Sequence, residues 1–372
     1  MRQLTTEIRA KHKFPYRWNI KDGYPAKGID YHGLKVFSCF ACGGGSSMGY
    51  KLAGYEVIGC NEIDPRMMAC YIKNHYPKYT YLEPIQEFKN RKDLPKELYN
   101  LDILDGSPPC SSFSMAGSRE DDWGKEKKFR EGQANQVLDT LFFDFIDVAK
   151  ELRPKVVVAE NVKGLLLGEA KKYVIEIYKQ FDAAGYVVQH FLLDASKMGV
   201  PQARERVFFI ALRKDLCDPF MVQKDMFTHV PLLDLNYNES QIFFNEFYIK
   251  GLDDRKASTN KMYEYWQKRT NGDKDFSDIT QREYGINSGF NNTFVYPDKP
   301  IPTLTANSDC MYLFNEYRKP NKNEVCCIST YPQDYDFLDN PYYYLAGMSV
   351  PPVMMAQIAH DIYKQWLSKL NI

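Results

Sequence analysis

The sequence predicts an α/β fold: a largely parallel sheet with helices on both faces, joined to a smaller irregular domain. Between residue 35 and about residue 213, short apolar runs alternate with segments whose apolar residues recur every three or four positions, the strand, helix, strand pattern of parallel sheets. After about residue 213 the texture changes to Asn, Asp and Tyr in short, poorly periodic runs, and this lasts to about residue 334. A chain of 372 residues also exceeds the length at which single cores stop growing, about 250 to 300 residues, so two domains are expected.

In chain order the expected strands are 35–40 (KVFSCF), 55–60 (YEVIGC), 101–106 (LDILDG), 155–160 (KVVVAE), 186–194 (YVVQHFLLD) and 206–212 (RVFFIAL). Several are apolar without alternation, as strands covered on both faces should be. Helices are expected over 64–76, 137–152 and 170–185. The stretch 350–367 regains a helical period at Val353, Met354, Ile358, Ile362 and Trp366, so the chain end is expected to pack back on the sheet. The organisation that results is a basic N-terminal arm (1–34), an α/β domain (35–213 with 335–372) and the irregular region 214–334.

Composition excludes several classes. Apolar residues make up 44% and charged residues 26%, ordinary for a soluble protein, and no window approaches the ~20 apolar residues of a membrane span. Nothing behind the basic N-terminus reads as a secretory signal, and nine irregularly spaced cysteines read as reduced thiols, so a cytoplasmic protein is expected. Formal net charge is zero, but residues 1–30 hold seven Lys/Arg against three Asp/Glu, and residues 214–334 hold 14 against 18. A reader of polyanions in this chain must work with patches such as Arg2, Arg9, Lys11, Lys13, Arg17, Lys21 and Lys27.

The first strand runs into FACGGGSSMGY (40–50), and Glu62 closes the next one. Glycines there let a ligand approach the following helix N-terminus, and an acid about 20 residues on suits ribose hydroxyls, so a nucleoside cofactor site is expected. Cys39 and Cys42 form a lone C-x-x-C without a second pair or clustered His, and Cys326 and Cys327 are adjacent. All four read as structural residues, and no metal is expected.

GSPPCSSFS (106–114) follows a strand to the carboxyl edge of the sheet, where open α/β folds bind ligands, and Pro108 and Pro109 fix two φ angles just before Cys110. Glu160 and Asn161 end a buried strand, where a carboxylate is costly without a partner or a task. Gln202, Arg204 and Arg206 stand at alternate positions entering a strand, so all three are expected on one face. Two readings stay open for these groups: a structural ion pair of Glu160 with Arg204 or Arg206, or a covalent mechanism around Cys110.

Taken in order, FACGGG, NEID, GSPPCSSFS, DTLFFD, AENV, QARERVFFIA, PTLTA (302–306), RKPNKNEVCCISTYPQDY (318–335) and AGMSVPP (346–352) resemble the cytosine-C5 DNA methyltransferases from Lys35 onward. The resemblance implies the Rossmann-like fold of S-adenosylmethionine-dependent methyltransferases, with a mixed, mostly parallel sheet. It implies Cys110 as nucleophile, Glu160 on the base ring, and Arg204 and Arg206 holding the base. For S-adenosyl-L-methionine it implies Phe40, Gly43, Gly44, Gly45, Glu62, Ile63, Ile85, Pro109, Leu141 and Ser349. For DNA it implies Ser111, Arg119, Gln202 and Thr303, with 214–334 as the target recognition domain.

Five positions depart from the family's pattern: Ser38, Cys42, Pro84, Ser111 and Met348. They bear on cofactor affinity more than on chemistry. The expected reaction adds Cys110 to C6 of a flipped cytosine and methylates C5, with 115–133 as a closing flap. The expected partner is double-stranded DNA, bound by a monomer that modifies sites for a cognate restriction endonuclease without a direct complex. Two alternatives are a tRNA-directed enzyme of the same superfamily and a catalytically weak DNA-binding relic.

Overall fold

The computed structural model describes residues 12–109, 126–127, 136–137, 140–223, 229–250, 260–287, 292–306 and 310–370. The chain forms two compact units, each assembled from separated stretches.

The larger unit comprises Gly23–Asp194, Glu205–Tyr237 and Met354–Ile372. Its sheet is built from β1 (Lys35–Cys39), β2 (Glu56–Glu62), β3 (Tyr79–Leu82), β4 (Ile103–Gly106), β5 (Val156–Val162), β6 (Tyr186–Asp194) and β7 (Glu205–Arg213), in the spatial order β3-β2-β1-β4-β5-β7-β6. The first five strands run parallel, while β7 is antiparallel to both of its neighbours. This is the α/β class expected from the alternating pattern. Successive residues face opposite sides. Phe37, Cys39, Leu104, Val157 and Ala159 join the core under α3 (Leu141–Leu152) and α4 (Lys171–Ala183).

The opposite side carries α1 (Gly45–Leu52) and α2 (Pro65–His75). Asp64 caps α2, its carboxylate accepting from the Arg66 and Met67 amides at 2.8 and 3.4 Å, with Pro65 in the first turn where no N–H is missed. The chain end does return to the sheet. Tyr55 donates to the carbonyl of Ala359 at 2.9 Å and the His32 ring stacks on Tyr363, both within the larger unit.

The smaller unit comprises Met1–Asp22, Ala195–Arg204 and Asn238–Val353. Its short elements are α5 (Asn260–Gln267), α6 (Phe276–Tyr284), β8 (Thr293–Val295), β9 (Met311–Leu313), α7 (Lys322–Ser329) and α8 (Tyr342–Met348). An aromatic core of Tyr265, Phe276, Phe294, Tyr296 and Tyr312 holds part of it. A buried Arg318 ties the turn after β9 to α7, its two terminal nitrogens on the Glu324 carboxylate at 2.7 and 2.8 Å. The N-terminal segment belongs to this core: Phe14, Tyr16 and Trp18 are buried, and Trp18 Nε1 donates to the carbonyl of Thr330 at 2.9 Å. Lys13 before them, Arg17 between them and Lys21 after them are exposed.

Candidate active site

Strand order reverses between β1 and β4: the chain steps from β1 to β2 to β3 on one side, then crosses to β4 on the other. The carboxyl ends of the two strands flanking such a reversal open the crevice in which doubly wound folds take ligands. The glycine turn leaves β1 there and the Ser-Pro-Pro segment leaves β4, so both motifs reach the same edge.

The turn has an unusual backbone. Phe40 at φ 53° and Cys42 at φ 49° are left-handed without being glycine, and Gly44 at φ 81° ends the turn. Gly44 cannot be replaced freely, because a Cβ there would fall 2.1 Å from His75 Nε2. Lys51 Nζ donates to His75 Nδ1 at 3.4 Å, so the ring proton lies on Nε2, which donates to the carbonyl of Gly43 at 3.3 Å. Tyr71 stacks on the same ring at 4.3 Å. Burial holds His75 well below the ordinary histidine range and pulls Lys51 down to about 8. The neutral imidazole thus braces the turn from α2, a role that sequence reading missed because nothing in the spacing of a lone His marks it.

Glu62, buried at the end of β2, spans the other side of the turn. Its Oε2 accepts from the Cys42 amide at 2.7 Å, and Oε1 from the amides of Ile63 and Asp64 at 2.9 and 2.8 Å. Burial raises this carboxyl, against the lowering effect of those three N–H donors. A carboxylate has about four acceptor sites, so capacity is left for a ribose hydroxyl. Phe40 is half-buried above the turn, and Gly45 opens α1. These residues fit a nucleoside cofactor. Ile85 and Leu141 are fully buried in the sheet core, and Pro84 begins the short helix Ile85–Phe88.

On the β4 side, Asn161 Nδ2 donates to the carbonyl of Pro108 at 3.2 Å, fixing the backbone just before Pro109. Cys110, Ser111 and Arg119 lie outside the described residues, as does the expected flap apart from Glu126–Lys127. Glu160 is paired with Arg206, Oε1 to Nε at 3.0 Å, and both side chains are largely buried. Of the two arginines left open for that pair, Arg206 is the one used.

Arg204 does something else. It is 2% exposed, and its guanidinium donates to the carbonyls of Leu304 at 2.7 Å and of Gly347 and Ser349 at 3.1 Å, all within the smaller unit. The expectation that Gln202, Arg204 and Arg206 share a face rested on strand alternation, but β7 begins only at Glu205. Residues 195–204 are a non-strand segment of the smaller unit, so alternation does not reach them. Gln202 is likewise buried, its amide donating to the carbonyl of Ile328 at 3.1 Å and its oxygen accepting from the Leu304 amide at 2.8 Å. Thr303 Oγ1 donates to the carbonyl of Ala203 at 2.6 Å. Ser349 accepts from the Tyr331 hydroxyl at 2.7 Å, and Met348 ends α8.

A sheet with this reversal, a braced glycine turn and an acid at the end of β2 define a doubly wound α/β protein with a nucleoside-cofactor site. The family model for C-5 cytosine-specific DNA methylases matches residues 34–364, and the chain belongs to that family. It is a DNA cytosine-C5 methyltransferase whose cofactor is S-adenosylmethionine. Type II methyltransferase M.NgoPII of Neisseria gonorrhoeae is 28% identical over 360 residues, covering 90% of this chain and 96% of that protein. Type II methyltransferase M.FnuDI of Fusobacterium nucleatum is 38% identical over 183 residues, 49% of this chain and 48% of that protein. In fold, the chain resembles Spodoptera frugiperda DNMT2 with a TM-score of 0.60 at 18% identity, over 89% of this chain and 100% of that one.

Proposed function

We propose that the chain methylates cytosine through a transient covalent bond from Cys110, as the modification enzyme of a restriction-modification system. The observation that supports this is the family match over residues 34–364, with Glu160 placed on β5, the strand that pairs with β4 leading to Cys110. In the reaction, the Cys110 thiolate adds to C6 of an extruded cytosine while the Glu160 carboxyl hydrogen-bonds the edge formed by N3 and the exocyclic amine. Arg206 holds Glu160 in place and steadies the ring. S-adenosylmethionine supplies the electrophilic methyl group that C5 takes. A base then removes the C5 proton, and elimination returns Cys110.

Phe40, Gly43, Gly44, Gly45, Glu62, Ile63 and Pro109 would hold the cofactor, and the fully buried Ile85 and Leu141 would shape its pocket from below. Residues 214–334 are proposed as the target recognition region, with Ser111, Arg119 and Thr303 toward DNA. Arg204 and Gln202 act as positioning residues, since their polar atoms serve the backbone around Leu304. Lys13, Arg17 and Lys21 are proposed to add phosphate contacts. The Type II relatives support the modification role.

The test is a duplex carrying 5-fluorocytosine incubated with enzyme and cofactor. A trapped complex is expected for the parent and none for Cys110→Ala. Equal methyl transfer by the two proteins would end the proposal. Running tRNA beside duplex DNA assigns the polymer, and bisulfite sequencing of a plasmid from expressing cells reports the target site.

A further inference from the structure

Asp105 lies on β4, directly before Gly106, and is 2% exposed. Its carboxyl accepts from Ser38 Oγ at 2.8 Å, from the Tyr50 hydroxyl at 3.2 Å and from the Ser46 hydroxyl. All three donors are neutral. Among the described residues no Lys, Arg or His is paired with it. Ser38 and Asp105 are register partners across β1 and β4, so this carboxyl sits on the two strands that flank the switch point, on the face covered by α1. Removing a carboxylate from water without a cation is expensive. A fold retains such a group most readily where a positive ligand arrives, and the cofactor carries two positive centres, a sulfonium and an ammonium.

We propose that Asp105 is the buried counter-charge for the cationic cofactor, without a paired cation among the described residues, so that S-adenosylmethionine supplies the positive charge. This rests on the identity of the cofactor, not on the Cys110 mechanism or on the nucleic-acid substrate.

The linkage that follows is measurable. Burial, reinforced by the like charge of Glu160, raises the Asp105 carboxyl to about 7 against the pull of its hydroxyl donors. The titratable groups facing it are Cys39 on β1, Tyr50 on α1, Tyr71 on α2 and Glu160 on β5; burial keeps the first three neutral at physiological pH. A bound cation favours the Asp105 anion, so cofactor binding releases its proton and weakens as pH falls below about 7. The stability effect has the opposite sense. A carboxyl raised on folding favours the folded state below its unfolded value, near 4, and that contribution is lost as pH rises through about 7.

Isothermal titration of the full chain with S-adenosylmethionine at pH 6, 7 and 8, in buffers of different ionisation enthalpy, tests this. The expected result is binding about tenfold weaker at pH 6 than at pH 8, with roughly half a proton released at pH 7. Asp105→Asn should bind at least about tenfold more weakly at pH 8, lose that pH dependence except for the ligand's own α-amino group, and melt higher than the parent at pH 8. S-adenosylhomocysteine keeps the ammonium but has a neutral thioether: the same dependence with it assigns the ammonium, and its loss assigns the sulfonium. The exchange variant Ser38→Asp/Asp105→Ser keeps one carboxyl in the register pair and should retain the parental dependence. Absence of proton release from the parent, or identical pH profiles for the parent and Asp105→Asn, overturns the proposal. Failure of 5-fluorocytosine trapping with the linkage intact would count against the covalent mechanism alone.

Discussion

Arg204 and Arg206 stand two residues apart and carry the same side chain, yet their surroundings give them different work. Arg204 satisfies three buried carbonyls in the smaller unit, and Arg206 pairs with one carboxylate in the larger. Truncating Arg204 strands those acceptors away from water, at about 1 to 3 kcal/mol each. Arg204→Ala is therefore expected to lose about 3 kcal/mol or more of stability, seen as a clear fall in melting temperature with the Cys110 chemistry indirectly affected. Arg206→Ala leaves one largely buried carboxylate without its partner and should cost less stability than Arg204→Ala, while kcat falls about 100-fold because Glu160 loses the group that orients it. Melting curves beside single-turnover methylation separate the two, and equal losses of stability would contradict this division. The sequence shows two arginines at a motif, but which of them serves catalysis depends on where the strand begins, and one residue decides that.

The turn between β1 and α1 is held by α2 through His75, and this defines a test at the level of elements. Gly44→Ala adds a methyl 2.1 Å from His75 Nε2 on a backbone at φ 81°, so either the ring or the turn must move. Cofactor affinity is expected to fall at least tenfold. His75→Ala removes the clash and the brace together and should weaken binding by a smaller factor. The double variant should then bind better than the product of the two single effects, since the methyl enters the space the ring has left. Strict additivity in the measured Kd values would rule out the brace.

Elements were legible where their sequence patterns were strong: 186–194 is a strand over that whole span, and 170–185 holds a helix over Lys171–Ala183. β3 went unseen because a four-residue edge strand, half of it exposed, has no apolar run to announce it. α1 was implied by the glycine turn before it but given no bounds, because four of its first five residues, Gly45, Ser46, Ser47 and Gly49, are weak helix formers. Of the candidate site, the glycine turn, Glu62 and the Glu160 pair were legible from residue type and order. The brace at His75 and the lone carboxyl at Asp105 were not, since each depends on contacts between distant segments.

For the molecule as a whole, binding a polyanion with no net charge is the remaining physical problem. The chain carries 48 Lys/Arg and 48 Asp/Glu, so affinity for phosphates has to come from local arrangement. In the N-terminal segment the alternation supplies one: Phe14, Tyr16 and Trp18 turn inward and anchor the backbone, which leaves Lys13 and Arg17 outward, with Lys21 following. Deleting the segment would remove three buried aromatic side chains, at about 3 to 5 kcal/mol for each, and would confound charge with folding. Neutralising the cations avoids this. Lys13→Gln/Arg17→Gln/Lys21→Gln is expected to melt like the parent, because none of the three side chains is buried. Its DNA affinity should fall at low salt, and the slope of log K against log salt should flatten by about 0.9 for each phosphate that the variant leaves unneutralised. A slope equal to the parental one would show that these cations face water rather than DNA, and would shift the electrostatic burden to residues elsewhere in the chain.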